Sequence, residues 1–359
     1  VSWQATKGRE SIEGQDLAVG HFLRAAALGR IAGAYLFIGP PGVGKTTVAL
    51  ALAKALECER PRPGLVACGA CGSCVQADAG THPDIDVVAR PPDRTTIPLD
   101  AFIGAAEHRM REGLCWRLLL RPALGPRKVA VILDADHLSD EAANCLLKTL
   151  EEPPPGAVIM LVGTALERQL PTIRSRCQIV RFRPLAEEIV LRVLTAEAAA
   201  GREPVEEPRL REAARGSGGS LARARLLLDP EVTAFRGRLA ALLGRRPVPG
   251  VELARDTLAV VEAAGKEAPP RRLRLRIVLE AALECFRLAL RAAVTGEPPG
   301  DPGLAVAVAA WAGDEEAAAR AAECTLAAID GIDRNLNLTI LVDAWTAELE
   351  RVDHAAVRA

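Results

Sequence analysis

Aromatic side chains are scarce: six Phe, four Trp and one Tyr make up 3% of 359 residues. Proteins that hold single-stranded nucleic acid stack its bases on aromatic rings, so a stacking platform is excluded as the chain's main binding device. A dominant charge sign is missing too, with Lys+Arg at 45 against Asp+Glu at 46 and a formal net charge of −1. A protein whose task is to grip free DNA carries a basic excess, so contact with DNA is expected only within an assembly. No apolar run reaches membrane-span length. No signal-like segment opens the chain, since Val1 to Glu10 is polar and mixed. The expectation is a cytoplasmic protein with no membrane partner. No repeat or long low-complexity tract occurs, and the length allows two or three domains.

What is present is concentrated early. Ala34-Tyr-Leu-Phe-Ile38 is a short apolar run stopped by Gly39-Pro40, the pattern of a buried parallel strand. Gly39-Pro40-Pro41-Gly42-Val43-Gly44-Lys45-Thr46 matches G-x-x-x-x-G-K-T at every fixed position, and Lys45 to Leu56, free of Gly and Pro, reads as a helix. Strand, loop and helix in that order are the context a phosphate-binding loop requires. Glycines let the backbone approach phosphate oxygens, and the helix N-terminus adds its dipole and unpaired N–H groups. Lys45 is expected to reach the β- and γ-phosphates and Thr46 to hold magnesium. The candidate nucleotide contacts are Gly39, Pro40, Pro41, Gly42, Val43, Gly44, Lys45, Thr46 and Thr47, with ATP or ADP and Mg2+ as the cofactor.

Cys58, Cys68, Cys71 and Cys74 follow, spaced C-x9-C-x2-C-x2-C. Four thiolates so close together suit a tetrahedral structural zinc site, and Gly69 and Gly72 permit sharp turns between ligands. A cytosolic setting disfavours disulfides, which leaves Zn2+ against reduced free thiols. His82 is expected to belong to a turn, Thr81-His82-Pro83-Asp84, and not to the ligand set. The other five cysteines, Cys115, Cys145, Cys177, Cys285 and Cys324, are expected in the core.

Lys128-Val-Ala-Val-Ile-Leu133 reads as a second buried strand ending at Asp134-Ala135-Asp136. Asp134 is the expected magnesium carboxylate. The next position, where a hydrolytic ATPase carries a water-polarising Glu, is Ala135, which does no acid–base work. Nucleotide binding without efficient hydrolysis is the expectation; the competing reading lets Asp136 substitute after a local turn. Ser139 reads as the N-cap of a helix to Leu150, stopped by Glu151-Glu-Pro-Pro-Pro155. A strand over 157–162 leads to Thr164, a candidate γ-phosphate sensor, and a last strand runs from Gln178 to Phe182.

Asp140-Glu-Ala-Ala-Asn-Cys-Leu-Leu-Lys-Thr-Leu-Glu-Glu-Pro-Pro154, with Pro171-Thr-Ile-Arg-Ser-Arg-Cys177, resembles the clamp-loader ATPases of bacterial DNA polymerase III. Within that family the chain is most similar to the delta-prime branch, through Gly80-Thr-His-Pro-Asp84, the Asp134-Ala135 departure and Arg334-Asn-Leu-Asn337. The strong matches cover residues 34–182. The resemblance implies an α/β AAA+ P-loop domain (1–183, with the zinc module at about 58–80), a helical lid (184–243) and an all-α collar (251–359). It implies gamma/tau and delta subunits as partners, and the sliding clamp and primed DNA through the assembly. It also implies that Arg176 acts in trans as an arginine finger on a neighbour's nucleotide, the alternative being a surface arginine paired with a local carboxylate. Lys148 is a candidate DNA contact or a solvated lysine. Gly216-Ser-Gly-Gly-Ser-Leu-Ala-Arg223 departs from the spacing of a lid sensor arginine. The functional expectation is a stator that binds nucleotide and helps load the clamp; the alternative is a self-sufficient gamma/tau-like motor.

Overall fold

The computed structural model describes residues 3–4, 11–91, 94, 96–109, 111–200, 205–295 and 304–357. The polar opening Val1 to Glu10, apart from Trp3–Gln4, and the expected helix break at Glu297 to Pro302 lie outside them. The chain forms two compact units, Val1–Ala224 and Arg225–Ala359.

In the first unit β1 (Trp3–Gln4) pairs antiparallel with β2 (Ser11–Ile12). The main sheet holds β3 (Ala34–Ile38), β4 (Ile85–Val88), β5 (Lys128–Ile132), β6 (Ala157–Gly163) and β7 (Gln178–Arg181), in the order β4-β5-β6-β3-β7 and parallel throughout. Every residue of β3, β5 and β6 is buried, because helices cover both faces of a parallel sheet. Their sequences therefore read as unbroken apolar runs. Successive side chains point to opposite faces. Tyr35, Phe37, Val129, Val131 and Val158 join the helices Asp16–Ala27 and Lys45–Leu56, while Leu36, Ile38, Ala130, Ile132 and Ile159 join Phe102, Leu114, Leu146 and Leu150.

The expected strands at 34 and 128 begin where the pattern placed them, although β5 stops at Ile132. Ser139 caps the helix Asp140–Glu151, its hydroxyl accepting the Ala142 N–H at 3.1 Å. The edge strand β4 was not anticipated: it is half exposed and alternates poorly. Helices Glu187–Ala200, Glu207–Gly216 and Leu221–Leu228 follow the sheet, and the second unit begins inside the last of these.

The second unit continues with helices Pro230–Leu243, Gly250–Glu262, Ala268–Thr295, Ala305–Trp311, Glu315–Asp333 and Leu338–Val357. They pack around Phe235, Phe286, Trp311 and Trp345. The buried indoles keep partners: Trp311 donates to the Leu243 carbonyl at 2.8 Å and Trp345 to the Thr325 hydroxyl at 2.9 Å. Arg334-Asn-Leu-Asn337 makes the last helix–helix turn. Asn335 takes a left-handed conformation (φ 62°) and the Asn337 side chain accepts the N–H groups of Thr339 and Ile340.

Candidate functional site

The phosphate loop leaves the carboxyl end of β3, an interior strand, where open α/β sheets place their ligands. Gly44 caps the helix Lys45–Leu56 at φ 94°, so the chain turns from strand to helix through a conformation that a side chain resists. Gly42 (φ 76°) is needed twice over: a Cβ there would meet the Ser220 hydroxyl at 2.3 Å and the Ala222 methyl at 2.8 Å. The Gly42 carbonyl accepts the Leu221 N–H at 3.0 Å. The start of the helix Leu221–Leu228 thus lies flush on the loop.

Lys45 is buried and donates to the carbonyls of Gly39 (2.5 Å) and Pro40 (2.6 Å). Burial pulls its pKa down to about 8, and the negative charge of Asp136 opposes that fall. Gln15 is a participant that sequence reading missed. Its side chain donates to the carbonyls of Val43 (3.1 Å) and Arg183 (2.8 Å) and accepts the Arg183 N–H at 3.3 Å. It ties the loop to the exit of β7, and no local pattern marks it, because its partners lie 28 and 168 residues away.

β6 stands between β5 and β3, so the segment after β5 reaches the loop only by crossing the end of β6. Asp134 is exposed, with φ 54°. The turn Ala135–His137 then carries Asp136 across: its carboxylate accepts the Thr164 N–H at 2.7 Å and a hydrogen bond from Gln169 Nε2. Thr164 follows Gly163, which pairs with Ile38, so Thr164 and Gly39 leave adjacent strand ends together. Gln169, also missed, is buried.

Arg176 stands before β7. Its guanidinium donates to Glu151 Oε2 at 3.2 and 3.3 Å and to the Thr172 carbonyl at 3.1 Å. Lys148 is exposed on the same helix as Glu151.

The four cysteines converge. Their sulfur atoms all lie within 4.8 Å of one another, with Cys58–Cys71 and Cys68–Cys74 each at 3.9 Å. A tetrahedral zinc with bonds of about 2.3 Å separates its sulfurs by about 3.8 Å, so the donor set fits the ion. Cys71 caps the helix Gly72–Ala79 and accepts the Cys74 N–H at 3.4 Å; Cys58 accepts the Cys68 N–H at 3.2 Å. The N–H groups of Ala70 and Cys71 draw the Cys68 thiol down, while burial pushes the Cys74 thiol up.

The module is clasped to the sheet. Lys54 pairs with Asp78 at 2.5 Å. Ser73 donates to the Glu57 carbonyl and takes a hydrogen bond from His82 Nε2 at 2.7 Å, while His82 Nδ1 accepts the Asp84 N–H at 3.1 Å. Both ring nitrogens are engaged in one neutral tautomer, and burial lowers the His82 pKa accordingly. As expected, His82 serves a turn. The Asp84 carboxylate, fully buried, accepts the N–H groups of Ala123, Leu124 and Gly125 at 2.7, 2.7 and 3.0 Å and pairs with Lys128 at 2.8 Å. Burial pushes its pKa up, but Lys128 and the three N–H groups override that and hold it well below the usual carboxylate range.

Residues 14–186 match a family model described as DNA polymerase III, delta subunit. The DNA polymerase III subunit delta' of Escherichia coli (strain K12) is 35% identical over 182 residues, 51% of this chain and 51% of its own length. The subunit delta' of Pseudomonas aeruginosa is 39% identical over 144 residues, 40% of this chain and 41% of its own. The subunit tau of Escherichia coli is 34% identical over 233 residues, 64% of this chain and 34% of its own. The chain thus spans about half the length, or less, of these curated relatives. Among solved structures, a gamma subunit-related protein from Thermotoga maritima aligns with a TM-score of 0.42 at 17% identity, over 93% of this chain and 99% of the other.

Proposed function

We propose, from the premise that residues 14–186 belong to the delta-prime family of DNA polymerase III clamp-loader subunits, that this protein is a stator of such a loader. It would work beside gamma/tau and delta subunits, and through the assembly on the sliding clamp and primed DNA. The 1–183 segment would be its AAA+ domain, 184–243 a lid and 251–359 a collar.

The observation that carries the reading is a phosphate loop without hydrolytic equipment. Gly39 to Thr47 supplies the backbone cradle, with Lys45 for the phosphates and Thr46 for magnesium, and Thr164 stands at the adjacent strand end. Bound magnesium would neutralise phosphate charge; Asp134 is its proposed carboxylate. Ala135 follows where a base is needed. ATP or ADP would therefore serve as a structural ligand. Zn2+ would be held by Cys58, Cys68, Cys71 and Cys74 and stabilise the module.

Arg176 is the proposed contribution to chemistry elsewhere. In the isolated chain it rests on Glu151; in the assembly it would turn to a neighbour's nucleotide and stabilise charge on the transferring phosphoryl, a role worth roughly 10³–10⁵ in rate. The test is ATP turnover by the purified chain, then by the chain mixed with its gamma and delta subunits, clamp and primed DNA. The expected result is no turnover alone and turnover in the mixture that Arg176→Ala abolishes. Steady hydrolysis by the lone chain, lost on Lys45→Ala, would replace the stator with a motor.

A further inference from the structure

Ala135 leaves one acidic side chain to take over its missing work, and that side chain is already committed. Asp136 has two carboxylate oxygens. One accepts the Thr164 N–H at 2.7 Å and the other accepts Gln169 Nε2. Gly163 confirms how tightly the three groups close: a Cβ there would lie 2.7 Å from Gln169 Nε2 and 2.8 Å from Asp136 Oδ1. Gln169 is 3% exposed, so its amide is held in place and does not sample solvent. Because Gly163 pairs with Ile38, this closure sets where Thr164 stands relative to Gly39, the first residue of the phosphate loop.

We infer that Asp136 is a positioning residue, which fixes the Thr164 backbone beside the phosphate loop and is not the water-activating base or a magnesium ligand. A base must present a free lone pair to water, and a magnesium ligand must turn an oxygen toward the ion. Each oxygen keeps a second lone pair, but the two hydrogen bonds pin the carboxylate toward the end of β6. Turning it to a water or an ion would break the one from Thr164 or Gln169, and a buried donor left without a partner is costly. The negative charge of Asp136 also opposes the burial-driven loss of basicity at Lys45. Asp136 therefore links two parts of the site, the turn after β5 and the end of β6. The significance for nucleotide rests on the proposed use of the phosphate loop; the placement of Thr164 does not.

The two obvious variants separate the roles. Asp136→Ala removes both acceptors. Asp136→Asn keeps the shape: its carbonyl still accepts the Thr164 N–H, and its NH2 donates to Gln169 Oε1 once that amide rotates. Gln169 Oε1 is buried and has no other partner among the described residues, so it is available for the exchange. Amide hydrogen exchange on the nucleotide-free full chain reads the first role, through the segment 163–169. Calorimetric titration with ADP, in magnesium and in EDTA, reads the second.

In Asp136→Ala, exchange at Thr164 is expected to rise at least tenfold and magnesium-ADP to bind at least fivefold more weakly. Asp136→Asn should rescue most of both. Gly163→Ala, which forces the closure apart with the carboxylate intact, should reproduce the exchange defect if the alanine variant does not fold. Unchanged exchange in both Asp136→Ala and Gly163→Ala would overturn the inference. So would an asparagine variant that protects Thr164 yet loses the magnesium-dependent part of ADP binding, since that marks a metal ligand. Should the wild-type chain bind no ADP at all, the nucleotide reading fails, while the exchange measurements still decide the positioning role.

Discussion

The phosphate loop and the cysteine module sit at opposite ends of one helix, Lys45–Leu56, and they are built on opposite plans. The module draws all four sulfurs from 17 consecutive residues, 58–74, and finishes its donor set with local N–H groups. The loop has its cradle in one stretch, but its walls come from Gln15, Asp136, Thr164, Gln169 and the Ser220–Ala222 turn. A site made from one segment can be read whole from spacing. A site assembled by topology shows only its longest contiguous piece.

The sharpest way to press that contrast is to remove the metal. Purified protein is expected to carry one zinc per chain by elemental analysis, and Cys71→Ser should lose it. Structural zinc sites in small domains contribute about 10–16 kcal/mol of apparent binding free energy, so chelation should release residues 58–80 to rapid amide exchange. Retention of that segment's protection in metal-free protein would show that hydrogen bonding alone holds the module.

Next in size is the clasp. Asp84→Ala removes the buried carboxylate that pairs with Lys128, leaving that amine only the Pro83 carbonyl at 3.1 Å, and takes the acceptor from three N–H groups. Breaking a buried pair of this kind costs about 3–5 kcal/mol. Denaturant titration measures it. The folded carboxyl is held below its unfolded value near 3.9, so its contribution is fully present above that value and is lost as pH falls through the folded-state value. Wild type should therefore lose stability in acid that Asp84→Ala has already lost at neutral pH, and the two acid unfolding curves should converge.

On the loop side, Lys45→Ala should weaken nucleotide binding by at least about thirtyfold, the effect of roughly 2 kcal/mol for a desolvated charged partner. Zinc content should stay at one per chain. Loss of both together would mean that the shared helix couples the two ends. The smallest effect tests a feature outside both: Ser139→Ala should cost about 1 kcal/mol as a lost N-cap, with no change in metal or nucleotide affinity.

The same division explains what was legible. Continuous burial made β3, β5 and β6 visible as apolar runs, and Ser139 announced its helix. β4 escaped because an edge strand with Asp86 and an exposed Val87 lacks such a run. Asp134 was legible as a candidate carboxylate because it ends an apolar run; that the next turn would carry Asp136 to Thr164 was not, because β6 lies between β5 and β3. Two glutamines, Gln15 and Gln169, were invisible for the same reason: a buried amide is chosen by its surroundings, and those are assembled from distant parts of the chain.

The pairing of Arg176 with Glu151 has one more consequence. An exposed ion pair of this kind contributes about 1 kcal/mol at most, with side-chain exposures here of 29% and 61%. The guanidinium is thus held loosely. Under the proposed trans role its release to a neighbour's nucleotide would cost little, so the choice between the two acceptors would be decided by the neighbour's site and hardly at all by this chain.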